Sequence, residues 1–290
     1  MIFDSSTVNR LRRLKLVTRQ VKAGIIRGER RSTRHGHSIE FADYRDYVPG
    51  DDLRQLDWNI YARHNHPFIK LRENEEDLAV YLLLDGSRSM DWGAEDENKF
   101  RYACRLAAGF AVVSLFSGDR FFLEALGTRT QLGPLRGQGR LKSVLDYLDG
   151  IEPAGAMDLY EECRQFTTNT KKAGLVILLS DLLLVDGYEG GLKHLQDHGH
   201  EVVLLHTLNP EELHPSLNGE LQLIDSETGK PQEVNIDASM RRVYAQRLNS
   251  WFGNIRDFCN RRHIRYYQVD TSFAWDRFLT YEMRKAGLVQ

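Results

Sequence analysis

The chain has 290 residues, 41% hydrophobic and 28% charged, with a formal net charge of −2. That balance is enough to bury a core and too apolar for a disordered chain. The longest nearly apolar stretch, Gly174 to Val185, holds Ser180 and Asp181 and is shorter than the roughly 20 apolar residues of a bilayer span, so no transmembrane segment is expected. Met1 to Arg31 is basic and lacks an apolar block long enough for a signal peptide. Cytoplasmic residence is the default expectation. Cys104, Cys163 and Cys259 are odd in number, far apart and set in helical patterns. They read as buried free thiols, which fits a reducing compartment.

Charge is unevenly spread. Residues 1–36 carry ten Lys or Arg against Asp4 and Glu29, a local +8, leaving −10 on the rest. A basic arm can bind nucleic acid, a membrane surface, an acidic partner or its own body. Residues 4–36 contain no aromatic side chain to stack on bases, which favours docking or a protein partner over nucleic acid.

In chain order, Val8, Leu11, Leu14, Leu16, Val17, Val21 and Ile25 predict a helix over 7–26. Residues 37–77 are dense in aromatics and charge, with a turn at Val48-Pro49-Gly50-Asp51. Leu78 to Leu84 is an apolar run of the kind that forms a strand buried on both faces, and it ends at Asp85. A helix over 99–116 follows, then a strand over 120–126 with a hairpin partner at 130–132. Helices are expected over 141–148 and 159–170. Leu175 to Leu179 is a second apolar strand, ending at Ser180-Asp181. A helix over 187–196 leads to a strand over 202–208. Segments 221–224 and 233–236 flank a hairpin loop. Met240, Tyr244, Leu248, Trp251, Ile255 and Phe258 lie on one face of a long helix capped by Asp237. A strand over 264–269 and a helix over 274–284 close the chain.

Apolar strands alternating with helices imply a doubly wound, mostly parallel α/β sheet. The chain divides into a basic N-terminal helical arm (1–36), an Arg/Asp/aromatic-rich segment expected to pack on the sheet (37–77) and the α/β domain (78–290). Ligands of such sheets sit beyond the carboxyl ends of the strands, which directs attention to Asp85 and Asp181. In Asp85-Gly86-Ser87-Arg88-Ser89 three oxygen-bearing side chains alternate along a tight loop. A carboxylate and two hydroxyls suit Mg²⁺, and Asp181 adds a carboxylate directly or through water. The plainer alternative is that the serines cap the next helix and Asp85 closes a turn.

Leu82-Leu83-Leu84-Asp85-Gly86-Ser87-Arg88-Ser89-Met90 resembles the first motif of a von Willebrand factor A domain, whose metal-ion-dependent adhesion site (MIDAS) uses D-x-S-x-S, a later Thr and a later Asp. Leu178-Leu179-Ser180-Asp181 matches the last element. The segment from Arg45 through Tyr47, Pro49-Gly50-Asp51-Asp52, Arg54 and Asp57-Trp58 to Ala62-Arg63 is similar to the hallmark of the bacterial "domain of unknown function 58" proteins. The likeness runs through Asp225-x-Glu227-Thr228-Gly229 and Tyr244. It implies a Rossmann-like von Willebrand factor A fold, a non-enzymatic interaction role and a MoxR-type AAA+ ATPase as partner. Asp85, Ser87, Ser89 and Asp181 would hold Mg²⁺ and leave a position for a partner's carboxylate. One departure matters. In Gly155-Ala156-Met157-Asp158-Leu159, Met157 stands where the Thr is expected, and a thioether is a poor ligand for a hard cation. The site is short of one ligand, or Asp158 supplies an oxygen.

Two alternatives stand beside this reading. A Mg²⁺-dependent phosphoesterase or nuclease could use Asp85, Asp158 and Asp181; or the metal site is dead and exposed loops alone bind. Phosphate-loop, nucleophile-elbow and H-E-x-x-H motifs are absent from the sequence, which favours a non-enzyme. His35-x-His37, His64-x-His66 and His198-x-His200 read as surface histidines, without the further ligands zinc needs. The Arg/Asp alternation around Tyr47 and Trp58 reads as scaffolding before recognition. Glu73 to Asp77 reads as a solvated acidic run.

Overall fold

The computed structural model of the chain describes residues 4–19, 41–48, 56–64, 66–72, 78–128, 130–170, 172–224 and 229–290. Two compact units form: Met1–Val21 with Leu78–Gln290, and Lys22–Asp77. Helix α1 (Ser5–Leu11) opens the chain; Asp4 caps it by accepting the Thr7 amide at 2.9 Å. The smaller unit is an antiparallel hairpin of β1 (Phe41–Asp46) and β2 (Phe68–Arg72), with α2 (Trp58–His64) between the strands. Asp57 fixes the start of α2. Its amide bonds Phe68 O at 3.0 Å and its carboxylate accepts the Ile60 amide at 3.2 Å. Trp58, expected to be architectural, is 61% exposed and meets Tyr61 edge-on. His35, His37, Pro49 to Arg54 and the acidic run Glu73 to Asp77 lie outside the described residues.

The larger unit is built on a six-stranded sheet. In chain order it runs β3 (Ala79–Asp85), α3 (Lys99–Ser117), β4 (Arg120–Leu126), β5 (Thr130–Leu135), α4 (Leu141–Asp149), α5 (Leu159–Asn169), β6 (Leu175–Ser180), α6 (Glu189–Asp197), β7 (Glu201–Leu208) and α7 (Pro210–Leu213). A separate hairpin of β8 (Gly219–Ile224) and β9 (Pro231–Ile236) precedes α8 (Ala238–Arg261) and β10 (Arg265–Asp270). Helical turns Trp275–Arg277, Phe278–Glu282 and Met283–Lys285 finish the chain. The strand order is β10-β7-β6-β3-β4-β5, parallel throughout except β4 with β5.

Every residue of β3 and β6 is buried, which is why each is apolar up to its last residue, Asp85 in β3 and Ser180 in β6. Val80, Leu82 and Leu84 join a core with α3 and α4, while Ala79, Tyr81 and Leu83 join one with α5, α6 and α8. Helix α3 starts at Asn98, which accepts the Arg101 amide at 3.0 Å, and ends at Gly118 in the left-handed region (φ 84°). Among the described residues it is the one helix long and apolar enough to cross a membrane, and 78% of that window is buried inside the domain. Asp237 caps α8 as expected, accepting the Met240 amide at 2.7 Å. All three cysteines are free and buried in α3, α5 and α8.

The expected 7–26 helix is overturned over residues 12–19, residues 20–26 lying outside the described residues. Helix α1 stops at Leu11, and the chain through residue 19 runs across the body of its own unit. Leu11 and Leu14 are buried in the core, Leu16 bridges Val289, and the amides of Lys15 and Gln290 each bond the other's carbonyl at 3.1 and 3.0 Å. The Arg19 amide reaches the Glu201 carboxylate, which also holds Arg265. Pairing with the C-terminal segment satisfies this backbone, so the helical spacing of its apolar residues is overridden by tertiary contact.

Candidate functional site

Chain order places the site. From β3 the chain passes to β4 on one side and returns, after β5, to β6 on the other. The carboxyl ends of β3 and β6 therefore flank the point where the winding reverses, the crevice where open α/β sheets take ligands. Asp85 ends β3 and Asp181 follows β6 immediately.

Gly86 lets the chain turn there. Its amide bonds Leu126 O at 3.1 Å, and a Cβ at this position would stand 2.6 Å from the same oxygen. The Ser87 amide folds back onto Asp85 Oδ1 at 2.8 Å, and a short turn over Arg88–Met90 brings Ser89 Oγ within 3.0 Å of Ser87 Oγ. Arg88 N bonds Gly155 O and Ala154 N bonds Gly86 O, which fastens the loop before α5 to this one.

From β6, Ser180 Oγ donates to Asp85 Oδ2 at 2.5 Å and accepts the Leu182 amide at 2.9 Å. Leu182 is left-handed (φ 56°), a conformation that costs a leucine about 1–2 kcal/mol and points the next amide at Asp181. Asp181 Oδ1 accepts Leu183 N at 3.0 Å and Ser89 Oγ at 3.3 Å. Four of the five residues expected to form the site are thus gathered: Asp85, Ser87, Ser89 and Asp181, all buried and joined by hydrogen bonds. The fifth, Asp158, is exposed and serves as N-cap of α5, accepting the amides of Tyr160 and Glu161. Its placement one residue before a helix start explains that role.

Three partners were not expected. Lys99, fully buried at the first turn of α3, donates from Nζ to Asp181 Oδ2 at 2.7 Å and to Glu212 Oε1 at 2.6 Å. Glu212 uses its other oxygen to accept Asn209 N at 2.8 Å, closing the capping box of α7. His206, buried in β7, holds the Asp181 carbonyl through Nε2 and the Tyr266 hydroxyl through Nδ1, both at 2.9 Å. Burial lowers the imidazole to about 4, so it is neutral at physiological pH. His200 is likewise buried, against Tyr81 and Phe166, and not the surface residue its motif suggests.

No described Lys, Arg or His pairs with Asp85. Burial first, and the neighbouring Asp181 second, push its carboxyl up to about 6, against the pull of Ser180 and Ser87.

The donors match a divalent ion poorly. Mg²⁺ takes about six oxygens in near-octahedral order. Here the Thr position is Met157, whose side chain packs in the core of α5, α6 and α8. One oxygen of Asp181 already carries the Lys99 ammonium, and both oxygens of Asp85 accept protein donors. No group of three or more His, Cys, Asp or Glu side chains is arranged as a metal cage among the described residues.

Fold and site together define a mixed α/β module with helices on both sheet faces and an acidic, internally bonded network at the switch point. The chain belongs to the family described as Protein of unknown function DUF58, whose model matches residues 43–250. It is 28% identical over 250 residues to Uncharacterized protein Rv1480 of Mycobacterium tuberculosis (strain ATCC 25618 / H37Rv), covering 84% of this chain and 78% of that protein. The same figures hold for Uncharacterized protein Mb1516 of Mycobacterium bovis. Among solved structures it is similar to a conserved hypothetical protein BatB from Bacteroides thetaiotaomicron, at TM-score 0.43 and 17% identity, over 72% of this chain and 98% of that one. A second is an aerotolerance-related membrane protein from Bacteroides fragilis NCTC 9343, at TM-score 0.40 and 16% identity, over 72% and 99%.

Proposed function

We propose that this chain is a non-enzymatic, von Willebrand factor A-like interaction module that receives a MoxR-type AAA+ ATPase on the loops at the carboxyl edge of its sheet, in the cytoplasm. One observation carries the reading. The polar groups at the switch point are turned inward and bonded to one another, while the loops around them present apolar side chains outward. Trp92, Leu183 and Val185 are 50%, 46% and 86% exposed. Such side chains on a rigid support suit a protein contact. A phosphoesterase would need open carboxylates, and Asp85 and Asp181 are fully buried.

The test is a pull-down of the ATPase from the same organism by wild type and by Leu183→Asp/Val185→Asp. Capture by wild type and loss in the variant, at unchanged thermal stability, supports the reading. Equal capture by both, or phosphodiester hydrolysis that Asp85→Ala abolishes, overturns it.

A further inference from the structure

We infer that the Lys99 ammonium is the resident cation of the strand-end site, so that this module keeps its acidic network assembled without a divalent ion. The inference concerns the same site as the proposed contact surface and stands whether or not that surface binds an ATPase.

The placement of Lys99 is costly unless it has this role. It occupies the first turn of α3, where the helix dipole disfavours a positive charge. Its side chain is wholly removed from solvent, and an ammonium is among the most strongly hydrated groups in a protein. Two carboxylates from other elements offset this loss. Asp181 follows β6 and Glu212 sits on α7, at 2.7 and 2.6 Å, the range of charge-assisted bonds.

The same contacts account for Asp181 in full. Oδ2 takes the ammonium, and Oδ1 takes Leu183 N and Ser89 Oγ. The two serine hydroxyls stand 3.0 Å apart and bond each other, with no ion required between them. A divalent ion beside Oδ1 would lie within a few ångströms of the ammonium on Oδ2 and be repelled by it. Met157 and Lys99 point the same way: a neutral thioether stands at the position where a Thr ligand is expected, and an internal cation supplies charge. A protein built this way holds the fold of the switch point with a tethered cation, which cannot dissociate.

The full chain is titrated with Mn²⁺ and Mg²⁺, followed by thermal shift and by the electron paramagnetic resonance signal of free Mn²⁺. For wild type the expected result is no saturable binding and no rise in Tm. An ion at about 100 times its dissociation constant would raise Tm by several degrees. The variant Lys99→Ala/Met157→Thr, with the ammonium removed and a hydroxyl introduced at position 157, is expected to bind Mn²⁺ saturably and gain those degrees. Saturable Mn²⁺ binding by wild type that Asp85→Asn abolishes overturns the inference. That measurement needs no variant of Lys99 to fold, and it is independent of the pull-down.

Discussion

Replacing Lys99 with Met keeps most of the side-chain volume and removes the charge. Asp181, with none of its surface exposed, would keep the Leu183 amide and the Ser89 hydroxyl but lose its cation. Breaking a buried pair by deleting one partner costs about 3–5 kcal/mol, mostly from the stranded charge. Glu212 keeps 20% of its side chain exposed, so water compensates that end and the lower part of the range applies. Asp181→Asn is milder, about 1–3 kcal/mol, because Lys99 retains Glu212. The double variant strands no charge on Asp181, and a coupling of about 2 kcal/mol should return. Urea unfolding at pH 7.5 of the four proteins measures the cycle. A Lys99→Met loss below about 1 kcal/mol, or additive single losses, refutes the pairing as the force that holds the site.

Three further perturbations follow from the same geometry. Asp85 titrates at about 6 folded and at 3.8 in its ordinary state, so between those values the folded protein holds the extra proton and this residue's contribution falls as pH rises. Asp85→Asn, compared with wild type by urea unfolding, should therefore gain about 1–3 kcal/mol at pH 7 relative to pH 4; a difference that does not change with pH contradicts the assignment. His200 and His206, both lowered to about 4, act in the opposite sense below pH 6.5 but cancel in that comparison. Gly86→Ala places a Cβ against Leu126 O and should cost about 1–3 kcal/mol with loss of the Gly86–Leu126 bond, seen as faster amide exchange at residue 86. Leu11→Ala should cost about 2–5 kcal/mol by thermal unfolding, since Leu11 is fully buried; a neutral outcome would mean that α1 is not part of the core.

What was legible in the sequence follows its physical origin. Strands buried on both faces leave apolar runs, so β3 and β6 and the carboxylates at their ends could be located from local pattern alone. Asp237 and the C-terminal part of the α8 face were equally local, while Met240 and Tyr244 at its start are exposed. The hairpin β1–β2 was missed because β1 lacks clean alternation and β2 offers only the short Ile69-Lys70-Leu71-Arg72 pattern, their pairing spanning Phe41 to Arg72 across a charge-rich stretch. Lys99 was missed for another reason. Its partners lie 82 and 113 residues away, and a lysine at a helix start looks like any solvated one. The available signal was its charge, set at the wrong end of a helix dipole and directly ahead of an apolar helix. The N-terminal helix was overextended because periodicity sees one face and cannot see a second strand competing for the backbone. Asp158 reads from the sequence as a possible ligand, yet its position directly before Leu159 fits a cap, the role it takes.

The reciprocal bonds between Lys15 and Gln290, with Val17 N on Leu288 O, tie residues near opposite ends of the sequence into one small ladder. Chain ends are ordinarily the first places to fray, each on its own. Here neither segment can lift away without releasing the other and uncovering Leu14, Leu288 and Val289. Deuterium uptake at the amides of Val17 and Gln290 should rise in step, and clipping a few residues from the C-terminal side should loosen the N-terminal segment as much as cutting that segment itself.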